Sequence, residues 1–172
     1  MEGRERVLFS EKQIAKRVKE VARDIARAPL RPDVAVPILA GAFVFAADLL
    51  RALVHEGLDL ETEFIWLRSY GRTEQPGDLM VLKAPTELVR GRTVLLIDGV
   101  LDRGITLTRA KELLEEAGAG AIISTVAVAK TYPGRSIRAD HTLFEAGMEF
   151  LYGYGMDRSG LSRGLTDIRV RD

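Results

Sequence analysis

Two aspartates stand in the run Val94-Leu95-Leu96-Ile97-Asp98-Gly99-Val100-Leu101-Asp102-Arg103-Gly104-Ile105-Thr106-Leu107-Thr108, and a helical pattern begins directly after them. The apolar residues before Asp98 predict a buried strand over 93–97, so Asp98 falls at its C-terminal end. In open α/β sheets that edge is where ligands bind. The N-terminus of the following helix offers unpaired amides and the positive end of a dipole, which suits a phosphate. Gly104 lets the backbone close around such an anion, and the Thr106 hydroxyl can add a hydrogen bond. Asp98 has the chemistry either to accept from sugar hydroxyls or to hold Mg²⁺ through water. Asp102, at the base of the loop, can exchange a proton with a ring nitrogen. The plainer reading is that both are solvated loop acids and that Thr106 only caps a helix. The string lacks the G-x-x-x-x-G-K-[ST] of a P-loop and the G-x-G-x-x-G of a dinucleotide site.

The elements that must position these residues alternate between helical and strand-like periods, which predicts an α/β fold with a mostly parallel sheet. Ser10 and Gln13 have capping-box spacing, and Ile14, Val18, Val21 and Ile25 follow at helical intervals. Pro29 and Pro32 end that helix. Val34–Leu39 reads as a buried strand, with Pro37 counting against a central position. A helix over 43–55 follows, then a strand over 61–68. An exposed loop over 72–78 comes next, then a short strand at 80–82. Further on come a helix over 107–117 and a strand over 122–129. After Tyr132-Pro133-Gly134 the pattern breaks into short pieces, with strands at 141–144 and 150–152. The expected organisation is a single domain over 1–172, with a core of about 1–130 and a small lobe of about 131–172.

Composition narrows the chemistry. The 172 residues fit one domain with a sizeable core. There are no cysteines, which excludes disulfides, thiolate metal sites and a cysteine nucleophile. Two histidines, His55 and His141, are too few for a His-rich metal site, so a metal here would be a hard cation held by oxygens. His55 reads as a helix-ending cation, and His141 has no visible partner. Lys+Arg and Asp+Glu both number 25, so the basic excess of a nucleic-acid binder is absent. The charged N-terminus has no signal core, and the nearly uncharged run 34–47 is too short to span a bilayer. The expected compartment is the cytoplasm, with no membrane partner.

The run from Ile97 to Thr106 resembles the fingerprint of the type I phosphoribosyltransferases: an apolar strand, two acids, two or three residues, then Asp-Thr-Gly-x-Thr. Other segments are similar to the hypoxanthine-guanine branch, and the resemblance covers nearly the whole chain. It implies a type I phosphoribosyltransferase-like parallel sheet flanked by helices, with a small C-terminal hood lobe. The implied activity is purine salvage. The 5-phosphoribosyl group of phosphoribosyl pyrophosphate passes to a 6-oxopurine (hypoxanthine or guanine), and pyrophosphate leaves. Mg²⁺ is the implied cofactor and a homodimer or homotetramer the implied assembly. On this resemblance the phosphoribosyl group is bound by Asp98, Gly99, Asp102, Arg103, Gly104, Ile105 and Thr106, with Asp102 catalytic. Leu39-Ala40-Gly41-Ala42-Phe43 resembles the pyrophosphate loop, where a non-proline cis peptide is expected. Ala40, Gly41 and Arg163 are then pyrophosphate-binding. Arg68-Ser69-Tyr70-Gly71 resembles the start of a mobile lid, with Ser69 and Tyr70 in it. Lys130, Phe150, Leu151 and Asp157 match purine-site positions, and Asp157, with Asp98 through water, a metal site.

Read alone, Lys130 is a solvated strand-end lysine, Phe150 a core aromatic and Arg163 a solvated arginine. Two positions depart from the family pattern. Gly99 stands where a second acid is usual, and Arg103 replaces the threonine of Asp-Thr-Gly. They keep three alternatives open. The first is a phosphoribosyltransferase for xanthine or a pyrimidine. The second is a nucleotide-binding regulator on the same fold with weak or no catalysis. The third is a structural subunit of a larger assembly.

Overall fold

A strand that is apolar at successive positions must be covered on both faces, and the run before Asp98 is. The computed structural model describes residues 5–69 and 79–171. Its elements, in chain order, are β1 (Glu5–Phe9), α1 (Glu11–Arg27), β2 (Val34–Leu39), α2 (Phe43–His55), β3 (Glu61–Thr62), β4 (Ile65–Ser69), β5 (Leu79–Lys83), β6 (Thr93–Leu101), α3 (Ile105–Glu116), β7 (Ala121–Lys130), β8 (His141–Ala146), β9 (Phe150–Tyr152) and β10 (Ile168–Arg171). In β6, Leu95 and Ile97 join one apolar layer with α1 and α2. Val94 and Leu96 join the other with α3. Each of these four side chains is fully buried, a gain of roughly 1.5–3 kcal/mol apiece.

The large sheet runs β5–β4–β2–β6–β7–β8, with β3 also on β2. All its pairs are parallel except β4 with β5. This is the expected parallel sheet flanked by helices. The Ser10–Gln13 capping box forms, and Ile14, Val18, Val21 and Ile25 are all buried.

Several expectations need correction. β2 is central despite Pro37. The strand on its far side is broken at Glu63 and Phe64, between the pairs Ala35–Thr62 and Ile38–Ile65. Ala35, which faces the same way as Pro37, gives its carbonyl to Glu63 N at 3.0 Å. The missing Pro37 amide therefore falls at the gap. The break itself follows from Glu63. Its buried carboxylate takes Lys83 Nζ at 3.0 Å and Thr86 Oγ1 at 2.9 Å, so the single expected strand becomes β3 and β4.

The division expected near residue 130 is not how the strands sort. β8 lies beyond 130 yet forms the edge of the large sheet, where Arg17 of α1 donates to the carbonyls of Leu143 (3.0 Å) and Thr142 (3.3 Å). The small sheet is β1–β10–β9, antiparallel, so a strand from the N-terminus completes it. Leu151, Ile168 and Val170 of that sheet pack into the α1/α2 layer. No helix of the described residues is long and apolar enough to cross a membrane.

Candidate functional site

β6 carries the chemistry further than its apolar run suggests. The strand continues through Asp98, Gly99 and Val100 to Leu101, paired with β7 up to Leu101–Ala129. Asp98 is therefore a buried strand residue and not a loop acid. Its Oδ1 accepts from Gly99 N at 2.7 Å, and no described Lys or Arg pairs with it. Burial pushes its pKa up to about 7, only partly offset by the Gly99 amide.

α3 starts two residues earlier than expected, at Ile105. Its N-cap is Gly104, at φ 91°, a left-handed conformation that favours glycine. Thr106 is inside the first turn and is not the cap. The first helical amide bond runs from Thr108 N to Gly104 O at 2.9 Å. The amides before it have no intrahelical acceptor. A β-carbon on Gly104 would overlap Ile137 Cγ2, so the loop is wedged from below. The Arg103 guanidinium lies 6.0 Å from the Tyr132 ring centre.

Two strands meet at this edge. Lys130 ends β7, is 8% exposed, and donates from Nζ to Asp102 Oδ2 at 3.0 Å. The neighbouring β2 ends in a cis peptide between Leu39 and Ala40, which is the conformation expected there. Gly41 O then lies 2.8 Å from where a Gly99 β-carbon would stand and 2.6 Å from where one on Gly155 would stand. Ala40 and Gly41 are thus brought against β6 and against the segment leading to Asp157.

The remaining candidates are more scattered. Asp157 pairs with Arg163 (Oδ1–Nη2, 2.9 Å) and accepts from Gly160 N at 2.8 Å. Arg163 also donates to Gly155 O at 2.8 Å. Its guanidinium is committed within the chain, against the expectation of a solvated side chain. Phe150 is half exposed at the start of β9, and Leu151 is buried beneath it. Ser69 ends β4, while Tyr70 and the loop to 78 lie outside the described residues.

For a divalent metal, no group of three or more His, Asp or Glu is assembled among the described residues. A buried carboxylate without a cation, beside a predicted phosphate site, fits Mg²⁺, which takes one or two carboxylates plus substrate oxygens. Asp98 meets that description. Asp157 is already satisfied by Arg163 and Gly160.

Sequence reasoning missed Arg135, whose guanidinium gathers carbonyls from Leu101, Asp102, Lys130 and Ile137. The only signal was an arginine after the Pro133-Gly134 turn. It also missed Gly155, which shares the seat of Gly41 O.

A parallel sheet with a glycine-capped helix start, an aspartate–lysine pair and a backbone turn at adjoining strand ends has the layout of a nucleotide-handling α/β protein. The chain belongs to the phosphoribosyl transferase domain family, whose model matches residues 7–153, and within it to the hypoxanthine-guanine branch of type I phosphoribosyltransferases. It is 34% identical to the hypoxanthine-guanine phosphoribosyltransferase of Bacillus subtilis over 96% of this chain and 92% of that protein. It is 32% identical to the one from Aquifex aeolicus, over 95% and 92%. The structure of Trypanosoma cruzi hypoxanthine phosphoribosyltransferase in complex with the product IMP superposes with a TM-score of 0.86, at 30% identity, covering 99% of this chain and 95% of that one.

Proposed function

We propose that the protein transfers the 5-phosphoribosyl group of phosphoribosyl pyrophosphate to N9 of a 6-oxopurine, hypoxanthine or guanine, releasing pyrophosphate in purine salvage. The observation that carries this reading is the Asp102–Lys130 pair, 3.0 Å apart at adjoining strand ends beside the start of α3, in a chain whose relatives bear that activity in their names.

The amides of residues 103–106 and the Thr106 hydroxyl bind the 5′-phosphate. Asp98 accepts from the ribose hydroxyls. The backbone of Ala40 and Gly41 binds the pyrophosphate, and Arg163 contributes once turned from Asp157. An ammonium has three donors, so Lys130 can hold Asp102 and also donate to the purine O6. Adenine presents an amino group there, and two facing donors in a buried site are costly. Asp102 holds or moves the proton at N7 as N9 bonds to the ribose carbon. Phe150 stacks on the base over Leu151. Ser69 and Tyr70 belong to a lid that excludes water from a reaction at risk of hydrolysis.

Asp98, and Asp157 once Arg163 has turned from it, are the residues that would hold Mg²⁺, which when bound neutralises pyrophosphate as the leaving group. The protein works in the cytoplasm as a homodimer or homotetramer on this reading. The test is to mix it with phosphoribosyl pyrophosphate, Mg²⁺ and hypoxanthine, guanine, xanthine, adenine or uracil in turn, and to measure nucleotide and pyrophosphate. Product with hypoxanthine or guanine is expected. No product with any base would leave a nucleotide-binding regulator.

A further inference from the structure

Arg135 lies outside every motif in the sequence and inside the framework of the site. Its Nη1 donates to Lys130 O at 2.6 Å, Asp102 O at 3.1 Å and Leu101 O at 3.2 Å, and its Nε to Ile137 O at 3.0 Å. Two of those carbonyls belong to the residues whose side chains meet at 3.0 Å. The β6–β7 ladder stops at the pair Leu101–Ala129. Beyond it no strand bond fixes Asp102 relative to Lys130, and the carbonyls at the two strand ends need other donors. Arg135 bridges them. The same side chain runs under Gly104, its Cγ and Cδ each 3.7 Å from where a β-carbon there would stand.

A guanidinium suits this task because it is planar and presents five donors in a fixed fork. Nη1 has two hydrogens for three carbonyls, so at least one is shared. A lysine ammonium offers three donors from one point on a flexible stem. It can satisfy a carbonyl but cannot hold Ile137, Lys130 and the end of β6 in one geometry.

We infer that Arg135 is a positioning residue that sets discrimination at the 6-position of the purine, by fixing where the Lys130 ammonium stands relative to Asp102. The inference rests on the 6-oxopurine transferase reading above. It goes beyond it in assigning selectivity to a residue that touches no substrate. A displacement of either strand end moves the Lys130 donor away from the exocyclic oxygen, while the phosphate-binding amides of α3, held by the helix itself, stay in place.

The experiment compares kcat/KM for hypoxanthine and for adenine in the native protein, Arg135→Lys and Arg135→Gln. Asp140→Ala serves as a control in the same connecting segment. The Asp140 carboxylate accepts from Ser124 N and Oγ, each at 2.7 Å, and lies near Lys111 and His141, none of them a residue of the site, so its loss lowers melting temperature without reaching the site. The ratio of the two bases is taken within one sample, so a reduced folded fraction cancels. The expected result is a fall of roughly tenfold or more in the hypoxanthine-to-adenine ratio for both Arg135 variants. It should come from a higher KM for hypoxanthine, with KM for phosphoribosyl pyrophosphate within about threefold of native. Asp140→Ala should keep the native ratio. Three results overturn the inference: ratios within about twofold of native in both Arg135 variants, an equal fall in Asp140→Ala, or an Arg135→Lys protein that does not fold. A native protein that makes no nucleotide from hypoxanthine overturns the transferase reading itself, a failure seen before any variant is assayed.

Discussion

The Gly41 carbonyl oxygen occupies the space a side chain on Gly99 would need, 2.8 Å from the ideal β-carbon position. Gly99 is the position where the family fingerprint has a second acid, and from sequence its lack reads only as a lost acceptor. In the structure it is also a seat. β6 and the turn after β2 touch backbone to backbone there, with Gly155 closing the other side.

Gly99→Asp should therefore not improve the enzyme. The new side chain must displace the Gly41 carbonyl or shift β6, an overpacking cost of about 1–3 kcal/mol. The expected outcome is a lower melting temperature and a higher KM for phosphoribosyl pyrophosphate. Tighter substrate binding at unchanged melting temperature would show that the glycine is a simple deletion and not a seat.

Asp102→Asn should separate chemistry from binding. The amide keeps the shape and can still accept from Lys130 through its oxygen, but it cannot take or give the N7 proton. General acid–base roles are worth about 10²–10⁴-fold, so kcat should fall by that order while the dissociation constant of IMP moves much less. Steady-state kinetics beside calorimetric titration with IMP gives both numbers. Equal loss in the two would remove Asp102 from proton transfer.

Lys130→Met tests the same pair from the other side. Lys130 is buried, and its Asp102 partner is nearly half exposed. Replacing the ammonium by an apolar chain of similar length should leave stability unchanged or raised. Hypoxanthine should lose about 10²-fold in kcat/KM, and adenine little or nothing. Thermal melting and a two-base assay decide it. A large drop in melting temperature, with selectivity kept, would make Lys130 a structural ion-pair partner.

The patterns that sequence carries best are those set by local physics. Apolar runs marked β2, β6 and β7, the Ser10–Gln13 box marked α1, and the Asp98–Thr106 string marked the loop that the structure sets at the sheet edge. What sequence hid depends on contacts distant in the chain. β1 forms only because β10, more than 150 residues later, pairs with it. β3 and β4 separate because Glu63 turns to Lys83 and Thr86. The Gly41–Gly99–Gly155 seat and the Arg135 tie involve residues that are ordinary in isolation. The inward commitment of Arg163 to Asp157 and Gly155 is likewise invisible in a segment rich in glycine and serine.

Asp98 makes the protein's behaviour depend on pH in a definite direction. Its folded pKa is raised from 3.8 to about 7, first by burial, with the Gly99 amide opposing. A raised carboxyl binds its proton more tightly when folded. Its contribution to stability is therefore complete below about pH 4 and is lost as pH rises through 7. The whole difference corresponds to roughly 4 kcal/mol. Asp98→Asn keeps a neutral group at every pH, so its stability should be flatter than native between pH 4 and 8 in urea titrations. The opposite slope is expected for ligand binding. Mg²⁺ and ribose hydroxyls both favour the carboxylate, so Mg²⁺-dependent binding of phosphoribosyl pyrophosphate should tighten from pH 6 to 8 and release a proton. Calorimetry in buffers of different ionisation enthalpy reads that proton directly. Asp98→Asn should abolish it while leaving the titration of the phosphates themselves. Identical proton release in native protein and variant would show that Asp98 does not face the ligand.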